Sequence, residues 1–593
     1  LRQRSGHWLW ISGILFGLAQ ATKFSALLLA PTIGLITLWF ASKRPERQLI
    51  RAAAAGRIAE RLGKGSFGWI GWSVWVCGLM VVISLPVLWA SQLFSLRPLI
   101  IEEFLHFLSL TATGHNGYLL GRFSADGWWS YHLVALAVKL PEPTLLLILL
   151  TALSGFLRPF RLEEALILFA GLFYLGITLL ISLNVGLRYL LPILPLAFLL
   201  VGRLAALPLP STRWRALRPV ALTAAVMAAL LINLSIFPHY LAYFNLLSGG
   251  PDQGYRWLAD SNIDWGQDLP GAAAYQHAHD LDKLYLSYFG QAAPIAYGLE
   301  AIALPGWPPP PDPRWRDFAP LNPEPGVYIV GVSNLVGTQL FEPDSFGAFL
   351  AREPVDQIGH SMHVYEMAPP PSPIGHWAVQ CVDHPVETEE RLRVLTGLSD
   401  VQVIYVDCAH GLPAYEGTGW LLLPIAIDPP LDLGPPFFLG RYPDGRPHYH
   451  AWRLDQLPQP AQPMEGAGIQ DALALLGYQI DVDRLRADET IELTVWWQVV
   501  DVPPPPVSLF AHLLDEAGQL RSAGDALSIP VEHWEPGMVF VQRHRFDLPS
   551  DLPNGTYRIV TGLYSLESGE RFGALDGTTE IELLRVSAGS SQP

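Results

Sequence analysis

The first 240 residues contain seven apolar runs separated by shorter polar stretches, which cover residues 7–22, 25–40, 68–90, 129–155, 163–182, 188–206 and 219–238. A helix needs about 20 apolar residues to cross the ~30 Å hydrocarbon core of a membrane. The last five runs meet this length, and the first two are close enough together to form a tight helical hairpin. The pattern predicts a multi-pass α-helical membrane domain of about seven helices over residues 1–240.

Beyond residue 240 the apolar runs become shorter. Some have the spacing of apolar residues typical of strands, and others have the spacing typical of helices. Strand-like and helix-like runs alternate over residues 241–368 and again over 374–455, which predicts two small extracytoplasmic α/β domains. Runs of period two, with turn signals between them, predict a C-terminal β-sandwich over residues 466–588. Two proline-rich stretches, 369–373 and 457–463, are typical of linkers between such domains.

Composition separates the chain into the same two halves. Half of its residues are hydrophobic and only 16% are charged, compared with about 25% charged residues in an ordinary soluble domain. The net charge is −16, which is the sum of +12 over residues 1–240 and −28 over residues 241–593. These values exclude an ordinary soluble enzyme and a disordered protein. The acidic second half also argues against a nucleic-acid partner, because phosphate binding requires a basic surface.

The positions of the basic residues predict the orientation in the membrane. If the chain starts in the cytoplasm and each run crosses once, 15 of the 20 Lys and Arg residues before residue 240 lie on the cytoplasmic side. This distribution agrees with the positive-inside rule. An odd number of crossings then places all domains after residue 240 outside the cytoplasm. The membrane is expected to be the inner or plasma membrane of the cell.

Ionisable residues are scarce inside the apolar runs. Transporters usually carry such residues near the membrane midplane, so their scarcity argues against a transporter. The outer loop 91–128, in contrast, brings His115, Tyr118 and Arg122 close together in sequence. No Cys/His cluster has the spacing of a metal site.

Cys381 and Cys408 end two successive strand-like runs, which is compatible with a disulfide and equally with two separate buried thiols.

Four sequence segments carry a resemblance to a known family: GLAQATKFSALLLAP (17–31), GYLLGRFSADGWWSYHLVALAVKLPEPTLLLILL (117–150), GLRYLLPILPLAFLL (186–200) and YFNLLSGGPDQGYRWLADSNIDWGQDL (243–269). Together they resemble bacterial relatives of the dolichyl-phosphate-mannose protein mannosyltransferases and the lipid A aminoarabinose transferases. These are integral membrane glycosyltransferases of family 39 with the GT-C fold. The resemblance covers about residues 1–270.

The resemblance implies a membrane enzyme that takes a polyprenyl-phosphate sugar as donor and an acceptor hydroxyl at the outer membrane face. Family members bind the lipid phosphate with His, Arg and Tyr side chains of their outer loops. The residues that match by position are His115, Tyr118, Arg122, Arg188 and Tyr189. The resemblance leaves open the sugar, the acceptor and the use of a divalent metal.

The family carries its catalytic carboxylate in a first outer loop that this sequence lacks. The resemblance therefore implies that the carboxylate lies upstream of Leu1, or that the chain as given is an incomplete enzyme, and no catalytic residue is assigned. Asp260, Asp264 and Asp268 follow the last apolar run, where they could contact the acceptor or act as structural caps and turns. The alternative function is a membrane-anchored binding or assembly protein without catalysis, in which the sandwich is the working part.

Overall fold

The computed structural model describes residues 7–22, 26, 29–42, 68–94, 102, 109, 116–208, 211–482 and 484–588. The chain divides into two compact units. Unit 1 is Leu1–Trp265 with Gly359–Ser361, and unit 2 is Gly266–Ile358 with Met362–Pro593.

Unit 1 is mainly helical. Its helices are α1 His7–Thr22, α2 Leu29–Ser42, α3 Gly68–Ser91, α4 Tyr131–Lys139, α5 Glu142–Leu157, α6 Leu162–Leu179, α7 Ile193–Val201 and α8 Thr212–Ser235. A short hairpin of strands β1, Gly117–Leu119, and β2, Arg122–Ser124, precedes α4. Short 3-10 turns follow α8 as far as Asn262.

Three helices in the described part of the chain are long and apolar enough to cross a membrane: α3 from Trp69 onward, α6 and α8. A fourth span is obtained if the bent pair α4 and α5 is counted as one. Helices α1, α2 and α7 are apolar but shorter, so seven crossings stay a prediction. Large apolar side chains such as Phe156 and Val220 are exposed on these helices, which is unusual for a surface in water and suits contact with lipid.

The run 129–155, predicted to cross the membrane once, is two helices bent by 119°. Leu140 at the break has an extended backbone (φ −95°, ψ 141°) and is followed by Pro141. A proline disfavours the helical conformation of the residue before it and lacks the N–H that a continuous helix would use. The sequence KLPEP (139–143) therefore breaks the helix at this position.

Helix α1 packs closely against α3 through two glycines spaced four residues apart. A Cβ atom on Gly13 would lie 2.7 Å from Ile83, and one on Gly17 would lie 2.9 Å from Val87. This small-residue spacing is a common device by which membrane helices approach each other. The connection of the predicted hairpin between α1 and α2 lies largely outside the described residues.

Unit 2 is rich in β-structure. Its strands are β3 Leu284–Ser287, β4 Ile302–Ala303, β5 Gly326–Gly331, β6 Asp356–Ile358, β7 Met362–Met367, β8 Ile374–Cys381, β9 Gln402–Val406, β10 Gly411–Ala414, β11 Thr418–Pro424, β12 Phe438–Arg441, β13 Pro447–Leu454, β14 Gln462–Ile469, β15 Leu473–Ile480, β16 Thr490–Val499, β17 Val507–Leu514, β18 Leu520–Ala523, β19 Val539–Asp547, β20 Gly555–Ser565 and β21 Ile581–Ala588. Its α-helices are α9 Leu269–Ala278, α10 Val332–Leu335, α11 Gly347–Leu350 and α12 Glu389–Thr396.

Two mixed sheets form the first part of unit 2. The strand order is β4-β3-β5-β7-β6 in one and β12-β13-β11-β8-β9 in the other. Strands β8 and β9 are parallel and α12 lies between them in sequence, as a parallel connection requires. One buried cluster contains side chains from both sheets, among them Tyr328 and Trp420.

Two antiparallel sheets form the C-terminal part of unit 2, which confirms that this region is β-rich. Their orders are β10-β19-β16-β15-β14 and β18-β17-β20-β21. Trp497 and Phe540 of the first sheet and Leu509 and Ile559 of the second belong to one buried cluster, as expected of a sandwich. Strand β10 joins the first sheet, although it lies upstream of the predicted sandwich boundary at residue 466.

A disulfide joins Cys381 and Cys408, whose Cα atoms lie 5.1 Å apart. Cys381 ends β8, and Cys408 follows β9, the neighbouring parallel strand. The register of these two strands places the cysteines next to each other, so of the two alternatives that the sequence left open, the structure forms the disulfide.

Candidate functional site

The carboxamide of Asn262 connects three segments of unit 1. Its Nδ2 donates to the Tyr131 hydroxyl at 2.7 Å and to the Ala259 carbonyl at 3.1 Å. Its Oδ1 accepts a hydrogen bond from the Leu187 N–H at 3.2 Å. Asn262 is almost completely buried, so these bonds are protected from water and hold the start of α4 and the segment before α7 at one place.

Lys139, the last residue of α4 before the helix break, also contacts the segment that contains Asn262. Its buried Nζ donates to the carbonyls of Leu241 and Asn262, both at 2.7 Å. The ammonium also lies 4.2 Å from the centre of the Phe244 ring, within the range of a cation–π contact. A lysine in an apolar segment needs such partners, and here they attach α4 to the segment that follows α8.

Arg188 and Tyr189 lie together in a 3-10 turn, Leu187–Tyr189, directly before α7. The preceding Gly186 has φ 114°, and a Cβ atom there would lie 2.8 Å from Asn262 Oδ1, so glycine is required by both backbone and space. The Arg188 side chain is exposed, and its guanidinium carbon lies 5.7 Å from the centre of the Tyr189 ring. The Tyr189 phenol hydroxyl can donate a hydrogen bond.

Two further aromatic rings of α4 extend this group. The His132 ring lies 5.3 Å from the Tyr131 ring and 6.4 Å from the Tyr189 ring. Arg188 and Asp260 both lie within electrostatic range of the Tyr131 hydroxyl. Tyr131, His132, Arg188, Tyr189 and Asn262 are called the Arg188 cluster below.

The hairpin β1–β2 carries two of the predicted phosphate-binding residues. Tyr118 is buried, with its ring 5.7 Å from that of Phe123, so it packs in the hairpin. Arg122 is exposed and makes no ion pair with any described residue. The Leu120 N–H donates to the Trp257 carbonyl at 3.1 Å, which fixes the turn of the hairpin within unit 1. The predicted His115 lies outside the described residues.

The three predicted carboxylates differ in their surroundings. Asp260 has a left-handed backbone (φ 59°) and accepts a hydrogen bond from the adjacent Ser261 N–H, a contact typical of a turn. Asp264 is fully buried in unit 1. Asp268 belongs to unit 2, where it precedes α9 at the N-cap position and accepts from Gln267 Nε2 at 3.3 Å. Among the described residues no group of three or more His, Cys, Asp or Glu side chains could hold a metal ion.

An apolar cavity of about 290 Å³ lies among helices α4 to α7. Its walls include Leu136 of α4, Leu140 at the break after α4, and Ile193 and Leu194 of α7. Helix α4 carries Tyr131 and His132 upstream of these positions, and α7 follows directly after Arg188 and Tyr189. Two of the four helices that line the cavity, α4 and α7, therefore also adjoin the Arg188 cluster.

Sequence reasoning identified Arg188 and Tyr189 but not the contacts among the side chains that surround them. Asn262 stands between Asp260 and Asp264 in the sequence, and its partner Tyr131 is 131 residues away, so no local pattern indicates the pair. Lys139 gave a usable signal, because a lysine inside an apolar run implies buried polar partners.

Comparisons with known proteins provide little further information about this chain. No protein-family model matches it, and no curated protein matches it. Among solved structures it is similar to the CARDB domain of a protein from Pyrococcus furiosus, described as a complex with di-metal ions. The match has 14% sequence identity and a TM-score of 0.14, and covers 23% of this chain and 100% of that one.

Proposed function

We propose that this chain is an integral membrane glycosyltransferase, or part of one, which uses a polyprenyl-phosphate sugar as donor. The observation that carries the proposal is that helices α4 and α7, which adjoin the Arg188 cluster, also contribute to the walls of an apolar cavity. A lipid-linked sugar phosphate has an anionic group at the end of a long hydrocarbon chain. An exposed guanidinium and a phenol hydroxyl match the phosphate, and an apolar cavity lined in part by the adjoining helices matches the hydrocarbon chain.

In the proposed reaction an acceptor hydroxyl attacks the anomeric carbon of the donor at the outer membrane face. The bond between that carbon and the phosphate oxygen breaks, with inversion at carbon, and polyprenyl phosphate leaves. A guanidinium can hold two phosphate oxygens at once and stabilise the negative charge that develops on the leaving group. Arg188 takes this part, with Tyr189 as a hydrogen-bond donor. The base that accepts the hydroxyl proton is not assigned.

The test is the affinity of the full chain, reconstituted in nanodiscs, for undecaprenyl phosphate. Replacing Arg188 by Ala is expected to weaken binding at least about tenfold, since a charge-assisted hydrogen bond contributes about 1.5–3 kcal/mol. Arg188→Lys should recover part of the loss because it keeps the charge but not the two-pronged geometry. The matched control is Arg215→Ala, which removes an exposed arginine of α8.

Unchanged affinity in Arg188→Ala would remove this residue from the donor site and leave the proposal without its main support. Binding that depends on Arg188, without transfer of sugar to any acceptor in native membranes, would instead favour a membrane-anchored binding protein.

A further inference from the structure

A loop that follows the first mixed sheet of unit 2 is joined by ion pairs to a helix of the second. The loop comprises residues 336–346, between α10 and α11, and the helix is α12, which connects β8 and β9. Arg391 in the first turn of α12 pairs with Glu342 and with Asp344 of the loop, at 2.8 Å in both cases. The Asp344 side chain is buried, so its ion pair is only weakly screened by salt.

A third carboxylate, that of Glu387, faces the same arginine from the segment before α12. Its backbone is fixed by the buried Gln380 of β8. The Gln380 Oε1 accepts from the Glu387 N–H, and the Gln380 Nε2 donates to the Glu387 carbonyl, both at 2.9 Å. The Glu387 carboxylate lies within hydrogen-bonding reach of the hydroxyl of Tyr449 on β13, a fully buried side chain. The position of Glu387 is therefore set from two neighbouring strands.

The charged groups around Glu387 do not balance. Those within electrostatic range of its carboxylate are two carboxylates and one guanidinium: Asp344, Glu342 and Arg391. Two further groups face Asp344 from neighbouring strands, the Arg441 guanidinium of β12 and the His448 ring of β13. Arg441 also donates to the Val336 carbonyl at 3.0 Å. With Glu387 ionised, three carboxylates share two guanidinium groups, one of which also holds the backbone of the loop.

The surroundings of Glu387 favour its protonated form. Burial, together with the neighbouring charge of Asp344, raises the pKa of Glu387 to about 7, whereas a hydrated glutamate has a pKa of about 4.3. The closed arrangement therefore binds a proton more tightly than an arrangement in which water reaches this carboxylate. Acidic pH favours the closed arrangement, and the preference is lost as the pH rises through the pKa of the closed state.

We propose that these groups form a proton-operated latch between the loop 336–346 and α12, called the Glu387 latch below. When Glu387 carries a proton, the cluster holds one negative charge fewer, and Arg391 keeps both ion pairs with the loop. When that proton is lost, a third negative charge lies opposite an arginine that already pairs with two carboxylates. This arrangement is unfavourable until water reaches the charge, so the loop loosens from α12. The latch lies within unit 2 and involves no lipid or sugar, so it goes beyond the function proposed above.

The test is amide hydrogen exchange of the full chain in nanodiscs between about pH 5 and pH 8, corrected for the intrinsic effect of pH on exchange and read by mass spectrometry. Two amides report on the loop: the Ser345 N–H donates to the Glu342 carbonyl at 3.2 Å, and the Gly347 N–H donates to the Asp344 carbonyl at 2.8 Å. Peptides from β5, the central strand of the first mixed sheet, distinguish local loosening from opening of the whole unit.

Three variants accompany the wild type. Glu387→Gln keeps the size of the side chain but cannot ionise. Asp344→Asn removes the like charge that faces Glu387, so it should move the midpoint of the transition to lower pH. The matched control is Glu465→Gln, which removes an exposed carboxylate of β14.

The wild type and Glu465→Gln should lose at least about tenfold in protection of the loop as the pH rises, while β5 keeps its protection. Glu387→Gln should keep a protected loop across the same range. Protection in the wild type that does not change with pH would overturn the proposal. A loss of equal size in Glu387→Gln would also overturn it, because another group such as His448 would then be responsible. A midpoint that does not fall in Asp344→Asn would overturn it as well, and this readout does not require Glu387→Gln to fold.

Discussion

Removal of the Asn262 side chain tests how the Arg188 cluster is held together. In Asn262→Ala, three hydrogen bonds disappear: those to the Tyr131 hydroxyl, the Ala259 carbonyl and the Leu187 N–H. A buried hydrogen bond contributes about 1 kcal/mol net, and more when a partner is left unsatisfied. The expected loss in the free energy of unfolding is therefore about 3 kcal/mol.

The assay is SDS-induced unfolding of the purified chain in mixed micelles, with the free-energy change read from the shift of the transition. Asn233→Ala is the matched control. The Asn233 side chain is exposed on α8 and donates only to the Ala229 carbonyl, at 2.7 Å, so its removal should cost less than about 0.5 kcal/mol.

Asn262→Ala should also weaken the binding of undecaprenyl phosphate, because the Leu187 N–H that precedes Arg188 loses its anchor. A free-energy difference of less than about 1 kcal/mol between Asn262→Ala and Asn233→Ala would refute the reasoning. The contacts of Asn262 would then be incidental to the stability of unit 1.

Three further predictions concern other buried groups. Lys139→Met leaves two carbonyls without their donor, and the same SDS assay should show a loss of about 2–3 kcal/mol; a change near zero would contradict the anchoring role. Reduction of the Cys381–Cys408 disulfide, which closes a separation of 27 residues, should destabilise unit 2 by about 3–4 kcal/mol, seen as a lower thermal midpoint in reductant than without it; an unchanged midpoint would contradict this. Burial lowers the pKa of His544 to about 4 from about 6.5 in the unfolded chain. The unfolded state therefore binds the extra proton first, and unit 2 should lose about 3 kcal/mol of stability as the pH falls from 6.5 to 4. Thermal unfolding at several pH values should show this loss in the wild type and a smaller one in His544→Gln; equal losses would assign the pH dependence to other groups.

Local sequence signals predicted the elements of this fold better than their contacts. The helices α3, α6 and α8 coincide closely with three predicted runs, since length and apolar content are sufficient to identify them. The same criterion missed the 119° bend after Lys139, because the two prolines that cause it stand inside an otherwise continuous apolar run. In the C-terminal region, period-two patterns identified the strands, but not that β10 would pair with β19.

The candidate site shows the same limit. Arg188 was found through a resemblance, and Lys139 stands out as a charge in an apolar run. Asn262 and Tyr131 carry no such signal, because an asparagine in a polar turn and a tyrosine at a membrane surface are both ordinary. Their pairing depends on the path of the chain between them, and no local pattern in the sequence indicates a contact over 131 residues.

Photocrosslinking can show whether unit 1 binds a polyprenyl phosphate at the Arg188 cluster. The probe is a polyprenyl phosphate with a photoreactive group in its first isoprene unit, added to the full chain in nanodiscs, with labelled peptides identified by mass spectrometry. The account predicts label within residues 131–145 and 186–200, and loss of that label when excess undecaprenyl phosphate competes. Label spread over the lipid-exposed surface of α8 and insensitive to the competitor would contradict it.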